Sequence, residues 1–229
     1  MREDISIVYE DKDILVCAKP AGLATQTAKV AEPDLVSELK KYLAEKGEPH
    51  LALIHRLDQP VEGLLVFAKN KTAAGKLNAQ LKAGGFDKAY YAVAFNQPPV
   101  QEGMLEDYMI KEGTLAKIVT ADTPGAKKAV LRYKLLAIKG GRVLYEVRPE
   151  TGRFHQIRAQ MAHAGMPLLG DKKYADAGMR AYSEKHGIRH VALCAVTLKL
   201  VHPESGEEML FVKKPSGHVF KEFQKDEDQ

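Results

Sequence analysis

Residues 129–148 have the sequence AVLRYKLLAIKGGRVLYEVR, and this stretch decides the fold class. β-Branched, aliphatic and aromatic residues alternate with charged ones on both sides of Gly140-Gly141. Such runs are typical of strands, and a Gly-Gly pair between two of them is typical of a tight antiparallel hairpin. We therefore predict two paired strands over residues 129–138 and 142–148.

The same hairpin pattern recurs towards both ends of the chain. Residues 5–18 contain short β-branched runs around a polar turn at residues 10–13. Residues 190–201 alternate as a strand, and Pro203-Glu204-Ser205-Gly206 turns them into a final strand over residues 208–212. Two further apolar runs, residues 64–68 and 90–95, also predict strands.

Apolar residues at helical spacing predict three helices, over residues 34–43, 72–81 and 154–164. Residues 172–189 are polar, and we predict irregular structure there. Because the strands come in hairpins rather than in strand–helix–strand units, the fold class is α+β: a mostly antiparallel mixed sheet with flanking helices and loops. We expect a single domain over residues 1–229, with a frayed tail from about residue 222.

Composition excludes several classes of protein. The chain has 229 residues, of which 45% are hydrophobic and 28% charged, which is the range of ordinary globular domains. Its two cysteines, Cys17 and Cys194, each lie in an apolar run, so we predict buried, reduced thiols rather than a disulfide. No signal peptide and no apolar run long enough for a membrane span are present, so we expect a cytoplasmic protein.

The net charge of +4 conceals an uneven distribution. Residues 51–200 carry a balance of +10, whereas residues 1–50 and 201–229 each carry −3. A basic central stretch is compatible with a polyanionic partner such as nucleic acid. Ordinary variation of surface charge explains the same numbers equally well, and charge alone does not decide between the two.

The stretch Ile54-His55-Arg56-Leu57-Asp58-Gln59-Pro60 places polar groups in a loop before a predicted buried strand. A rigid strand end can hold such groups towards a ligand. A carboxylate beside a guanidinium stays ionised, so Asp58 would act as a nucleophile or base rather than as an acid. A structural ion pair or turn cap is the alternative.

A second stretch, residues 148–158, joins the end of a strand to the start of a predicted helix with the sequence RPETGRFHQIR. Free backbone N–H groups at a helix start favour phosphate, and Arg153, His155 and Arg158 add further donors. An arginine near the apolar face needs an anion, for which Asp58 is the candidate. A basic surface helix is the alternative.

A third stretch, Lys88-Ala89-Tyr90-Tyr91, puts two tyrosines on opposite faces of a strand. One of them can pack in the core while the other stacks on a planar ligand, although both can equally be ordinary strand aromatics. The spacing of His186 and His190 lacks the companions of a zinc site, and neither G-x-G-x-x-G nor a Walker A motif occurs. We therefore expect no metal and no cofactor.

Taken in order, these motifs resemble the RluA-type pseudouridine synthase family over roughly residues 5–215. The matching segments are Lys19-Pro20-Ala21-Gly22, His55-Arg56-Leu57-Asp58, Gly63-Leu64-Leu65, Lys88-Ala89-Tyr90, Thr151-Gly152-Arg153-Phe154-His155-Gln156-Ile157-Arg158, Gly165-Met166-Pro167, Gly170-Asp171, Tyr174, Ala192-Leu193, Leu198 and His202-Pro203. H-R-L-D alone would be a weak signal, but the ordered set is specific.

The resemblance implies a cofactor-free enzyme that isomerises uridine in structured RNA, ribosomal or transfer RNA, to pseudouridine. It makes Asp58 the catalytic carboxylate, Tyr90 the ring that packs on uracil, and Arg158 the partner of Asp58. It also implies that Arg56 enters the RNA stack and that Ile157 lines the base pocket. The remaining candidate substrate-binding residues are His55, Arg153, His155 and Gln156. We expect a monomer without an N-terminal accessory RNA-binding domain.

The sequence departs from the family pattern after Asp58. The family commonly has Arg or Lys and then a Thr-Ser-Gly turn, where this chain has Gln59-Pro60-Val61-Glu62-Gly63. The change removes one positive charge and adds one negative charge, which puts the RNA preference in doubt but not Asp58 itself. Two other functions stay open: an RNA-binding module without catalysis, and a carboxylate-dependent glycosidase that releases the base.

Overall fold

The computed structural model describes residues 2–28, 32–48, 50–95 and 100–224, which form eleven strands and five helices. The strands are β1 (Ser6–Glu10), β2 (Ile14–Lys19), β3 (Ala52–Leu53), β4 (Glu62–Ala68), β5 (Asp87–Ala94), β6 (Glu102–Glu112), β7 (Leu115–Val119), β8 (Lys127–Lys139), β9 (Arg142–Pro149), β10 (Leu193–Val201) and β11 (Glu208–Val212). The helices are α1 (Leu35–Glu45), α2 (Lys71–Lys82), α3 (Gln156–His163), α4 (Ala177–Lys185) and α5 (His218–Gln224).

The chain divides into two compact units. Unit 1 comprises Met1–Lys88 and Ala195–Lys214, and unit 2 comprises Ala89–Cys194 and Pro215–Gln229. The predicted α+β class with mostly antiparallel pairing is confirmed, whereas a single catalytic domain over residues 1–229 stays a prediction. Of the tail predicted to fray from about residue 222, the part up to Gln224 belongs to α5, and residues 225–229 lie outside the described residues. Among the described residues, no helix combines the length and hydrophobicity that crossing a membrane requires.

Unit 1 contains the strand order β1-β2-β4-β10, with β11 paired to β10 and β3 paired to β4. The β1–β2 hairpin is confirmed, and its turn is fixed by Asp11, whose Oδ1 accepts the backbone N–H groups of Asp13 and Ile14 at 2.8 Å each. Every residue of β2 and β4 is buried, and one face of the two strands packs in a core cluster with Ala73 and Leu77 of α2. These two strands therefore form a rigid frame for the loop that precedes β4.

Gly63 lies at the beginning of β4, next to the backbone of Ala195 in β10. Its φ is +128°, and a Cβ atom at this position would lie 2.4 Å from the backbone nitrogen of Ala195. No side chain fits such a gap without moving a strand. The Gly-Leu-Leu motif thus begins with glycine because the backbones of β4 and β10 leave no room there for a Cβ atom.

Unit 2 contains the strand order β5-β9-β8-β6-β7, and all of these neighbours are antiparallel. The predicted β8–β9 hairpin is confirmed, since Lys139 pairs with Arg142 around the two glycines. Gly140 and Gly141 have φ values of +55° and +74°, which is the left-handed pair that a two-residue hairpin turn requires. Helix α3 packs on the β6–β7 side of these strands.

The structure corrects two predictions about residues 150–190: it shortens the first element and overturns the second prediction. The helix predicted over 154–164 spans only Gln156–His163, because His155 adopts a left-handed conformation (φ +51°) that a helix interior does not allow. Residues 172–189, predicted to be irregular, contain helix α4. Asp176 caps that helix by accepting the backbone N–H of Met179 at 2.8 Å, a signal that the polar composition concealed.

Both cysteines are buried as predicted, Cys17 in β2 and Cys194 in β10. Burial raises the pKa of the Cys17 thiol to about 12, because the thiolate would lose its hydration. Cys17 is therefore a protonated, inert thiol in the folded chain.

Candidate active site

Asp58 lies in unit 1, in the loop over residues 54–60 that connects β3 to β4. Arg56 is exposed, Leu57 is buried and Asp58 is half-buried. The hydroxyl of Thr25 donates to the Leu57 carbonyl at 2.7 Å and accepts the Leu57 N–H at 3.2 Å. The backbone immediately before Asp58 is thereby fixed by hydrogen bonds on both sides of Leu57, at its N–H and at its carbonyl.

Lys19, from the Lys-Pro-Ala-Gly turn, fixes the backbone immediately after Asp58. Its buried ammonium donates to the carbonyls of Pro20 at 2.9 Å, Leu23 at 2.7 Å and Gln59 at 3.2 Å. Gly22 and Gln59 exchange a second pair of bonds, from the Gly22 N–H to the Gln59 carbonyl (2.8 Å) and from Gln59 Nε2 to the Gly22 carbonyl (3.1 Å). Two motifs about forty residues apart in sequence thus form one structural element.

Lys19 also contributes charge to the loop. Burial lowers the pKa of its ammonium to about 7, and the negative charges of Asp58 and Glu62 oppose that shift. The attraction is mutual, so the ammonium places positive charge near the Asp58 carboxylate. Glu62, the acidic residue that departs from the family pattern, is 3% exposed and lies 3.6 Å from the ammonium of Lys213. Its negative charge is therefore compensated locally.

The side chain of His55 accepts a hydrogen bond from the backbone of β4. Its Nε2 accepts the Val66 N–H at 3.2 Å, one residue beyond the point where β3 stops pairing with β4, and its ring meets Phe86 edge-on at 5.8 Å. Burial, together with the charge of Lys88, lowers the pKa of this imidazole to about 3, so it is neutral. The ring replaces a missing strand hydrogen bond. Contact between His55 and substrate stays a prediction.

In unit 2, the turn before α3 is closed by Gln156. Its Oε1 accepts the Thr151 hydroxyl at 2.8 Å and the Arg153 N–H at 2.9 Å, while its Nε2 donates to the Val130 carbonyl at 3.0 Å. Gln156 is 4% exposed, and these three bonds use its amide inside the protein. The structure thus gives Gln156 a structural role, and its contact with substrate stays a prediction.

The other polar residues of this segment lie on both sides of that turn. Arg153 is exposed, and its Nε donates to the Lys128 carbonyl at 2.9 Å. His155 is buried, with Nδ1 2.8 Å from the Tyr174 hydroxyl, which also accepts the Ala116 N–H at 2.7 Å. Tyr174 thereby links the start of α3 to strand β7.

Arg158 forms a buried, two-pronged ion pair with Asp171. Nε lies 2.7 Å from Asp171 Oδ2 and Nη2 lies 2.9 Å from Asp171 Oδ1, and the two side chains are only 4% and 1% exposed. The guanidinium also lies 5.3 Å from the centre of the Tyr174 ring. Sequence reasoning named only Asp58 as the partner of Arg158 and missed the role of Asp171. The pairing with Asp58 stays a prediction.

Tyr90 and Ile157, the residues predicted to hold the base, are both buried within unit 2. Tyr90 is 9% exposed and pairs with Val147, whereas Tyr91, on the opposite face of β5, is half-buried. Ile157 is 7% exposed in the first turn of α3. The prediction that the two tyrosines point in opposite directions agrees with the pleat of β5, and stacking of Tyr90 on uracil stays a prediction.

One cluster has the composition of a metal site. Single ligand atoms of Asp11, Asp13 and His202 lie within 4.8 Å of one another. However, His202 Nε2 lies 2.9 Å from Asp11 Oδ2, and its Nδ1 faces the backbone N–H groups of Glu204 and Ser205 at 3.3 and 3.1 Å. Nδ1 must therefore accept and Nε2 must donate, which leaves the imidazole no lone pair for a metal. The cluster instead ties the β1–β2 turn to the turn after β10.

Comparison with known proteins agrees with this arrangement of motifs. "Ribosomal large subunit pseudouridine synthase C" of Rickettsia bellii is 36% identical over 180 residues, which are 78% of this chain and 59% of that protein. "Ribosomal large subunit pseudouridine synthase D" of Pasteurella multocida is 33% identical over 214 residues, 90% of this chain and 65% of that protein. The chain thus spans less than two thirds of the length of these relatives.

A solved structure has the same fold over most of its length. Human RNA Pseudouridylate Synthase Domain Containing 4 superposes with a TM-score of 0.73 at 26% identity, covering 92% of this chain and 89% of that one. The family model "RNA pseudouridylate synthase" matches residues 13–163, which include the Asp58 loop, Tyr90 and Arg158. Because this match covers well over half of the sequence, the chain belongs to the RNA pseudouridylate synthase family.

Proposed function

We propose that this chain isomerises uridine to pseudouridine in the RNA of the large ribosomal subunit, with Asp58 as the catalytic carboxylate. The observation that carries the proposal is the family match over residues 13–163, which contains the H-R-L-D loop. The names of the two bacterial relatives favour ribosomal RNA over transfer RNA as the substrate. The proposal also includes action in the cytoplasm, as a monomer and without metal or cofactor.

The reaction needs a carboxylate in a fixed place. The bond between uracil nitrogen and the ribose must break, and the same base must rejoin through carbon without leaving the site. Asp58 can attack the anomeric carbon, attack carbon 6 of the ring or remove a proton from the ribose. Each route gains from a loop that does not reorganise, and the bonds of Thr25 and Lys19 hold the loop on both sides of Asp58.

The other residues would bind and expose the nucleotide. Arg56 is exposed beside Asp58 and would enter the RNA stack when the target uridine flips out, a step that costs roughly a few kcal/mol. Tyr90 and Ile157 would contact the uracil, and Arg158 would pair with Asp58. The buried pair of Arg158 with Asp171 supports this role, because it fixes the guanidinium before substrate arrives.

The test is release of tritium from uridine labelled at carbon 5 in a transcript of large-subunit ribosomal RNA. The wild-type chain should release tritium, and Asp58→Asn should release none above background. Asp122→Asn, which changes an exposed carboxylate in the loop before β8, should retain full activity. Release by Asp58→Asn at the wild-type rate would refute the assignment of Asp58.

The same reaction separates the other functions. Free uracil in the supernatant would indicate a glycosidase. Binding of the transcript without tritium release, on this RNA and on transfer RNA, would indicate a binding module without catalysis.

A further inference from the structure

Phe154 forms a fixed aromatic surface in front of helix α3. Its ring stacks on His155 with centroids 3.8 Å apart and planes 21° apart, and it packs against the apolar cluster that includes Met109 and Ala129. The ammonium of Lys111 lies 4.9 Å from the centre of the Phe154 ring. Phe154 is half-buried, and the lysine that lies over its ring is exposed.

Three cationic residues lie close to Phe154 in the fold. Lys111 lies near the end of β6, two residues after Met109 and on the same face of the strand. Lys127 of β8 pairs with Met109, and Arg153 immediately precedes Phe154. Arg153 donates one bond to a backbone carbonyl. Within the described ranges, no carboxylate forms an ion pair with any of the three. Their charge is therefore available to an anion from outside.

An aromatic face among uncompensated cations fits a nucleotide better than other ligands. Bases stack on aromatic side chains in single-stranded RNA, and lysine and arginine bind the flanking phosphates. An acidic peptide would neutralise the cations, but it would make no use of the ring. The lysine stem allows the ammonium of Lys111 to move from the ring to a phosphate while a base takes its place.

We propose that Phe154 is a stacking site for one unpaired RNA base, and that Lys111, Lys127 and Arg153 bind the phosphates next to it. This site is additional to the residues that hold the target uracil. The proposal rests on the proposed function only in taking RNA as the ligand. It explains why this turn carries an aromatic residue between Arg153 and His155.

The experiment measures binding of a fluorescein-labelled, single-stranded 12-nucleotide oligouridine by anisotropy at several salt concentrations. Phe154→Leu keeps apolar volume but removes the ring, and we expect binding to weaken roughly 5- to 150-fold, the effect of losing one base–aromatic stack. Lys111→Gln/Lys127→Gln should reduce the slope of log affinity against log salt by about 0.7 for each lost phosphate contact.

Lys117→Gln is the matched control. Lys117 lies on the same hairpin, but its side chain is exposed and lies 3.7 Å from Glu112, so its charge is already compensated. We expect this variant to bind within twofold of wild type. Thermal unfolding of each variant checks that the fold is intact, and the double lysine variant changes only exposed side chains.

If Phe154→Leu binds oligouridine as tightly as wild type does, the stacking site is overturned, even if the double lysine variant binds less tightly. An equal loss in Lys117→Gln and in the double lysine variant would overturn the specific phosphate site. Oligouridine binding does not require catalysis, so the result is independent of tritium release. The two proposals can also fail separately. If the wild-type chain makes no pseudouridine while Phe154→Leu binds oligouridine more weakly than wild type, the proposed function is refuted and this site is supported.

Discussion

Replacing Asp171 with asparagine tests the buried ion pair of Arg158 most directly. The substitution keeps one side-chain oxygen, which can still accept the backbone N–H of Lys173 as Oδ1 does at 2.9 Å. It replaces Oδ2, the acceptor 2.7 Å from Arg158 Nε, with an NH₂ group that cannot accept. The guanidinium stays buried and charged, because arginine does not lose its proton in proteins.

The expected cost follows from this geometry. Removing one partner of a buried ion pair costs about 3–5 kcal/mol, because the guanidinium loses the carboxylate that it contacts at 2.7 and 2.9 Å. For a chain of this size, each kcal/mol lowers the midpoint of thermal unfolding by about 2–4 °C. Asp171→Asn should therefore lower the midpoint by roughly 10 °C. Arg158→Leu/Asp171→Leu should recover most of that loss, because it leaves no buried charge.

Thermal and urea unfolding followed by circular dichroism measure the stability of both variants, and tritium release measures their activity. The matched control is Glu150→Gln, which breaks the Arg132–Glu150 pair, an equally short contact of 2.7 Å with side chains 64% and 47% exposed. An exposed pair contributes at most about 1 kcal/mol. Equal losses in Asp171→Asn and Glu150→Gln would refute the reasoning. We expect the double leucine variant to be stable but inactive.

The remaining predictions concern the frame of the Asp58 loop. Gly63→Ala should cost at least about 3 kcal/mol in urea unfolding because its Cβ meets strand backbone, whereas Gly75→Ala, in open space within α2, should stabilise by about 0.5–1 kcal/mol. The pKa of Lys19 is about 7 in the folded chain, against 10.5 in the unfolded chain. Between these two pH values only the unfolded chain keeps the proton. The free energy of unfolding of wild type should therefore rise relative to that of Lys19→Met, by up to about 1.4 kcal/mol per pH unit above pH 7. A flat difference between pH 7 and 9 would contradict this. His55→Phe should cost about 1–3 kcal/mol at pH 7 because the Val66 N–H loses its acceptor. Wild type should lose stability relative to this variant as the pH falls from 6.5 towards 3, the interval in which only unfolded His55 binds a proton; unfolding midpoints that fall in parallel would contradict this assignment.

Sequence patterns predict the strands well where they depend on local turn chemistry. The β8–β9 hairpin follows from Gly140-Gly141, and the β1–β2 hairpin follows from the polar turn that Asp11 closes. The β6–β7 hairpin was not predicted, because its strands are exposed on one face and rich in charge. Helix α4 was missed for the same reason.

The site was predicted from motif order, whereas its supporting contacts were not. Lys19, Gln156 and Asp171 each stand in a motif that the sequence displays, but each also has a partner that lies outside that motif. Lys19 reaches Gln59, forty residues away, and Gln156 reaches Val130. Spacing within a motif carries no information about such distant carbonyls. The left-handed conformation of His155 could not be predicted either, because histidine is not a residue type that signals a positive φ in the sequence.

The two cysteines give the chain a built-in pair of reporters. Cys17 belongs to unit 1 and Cys194 to unit 2, and both thiols are completely shielded from solvent in the folded state. A thiol reagent can therefore modify each residue only during a transient opening of the strand that contains it. The two labelling rates, separated by peptide mass spectrometry, would report whether β2 and β10 open together or one before the other, without any engineered probe.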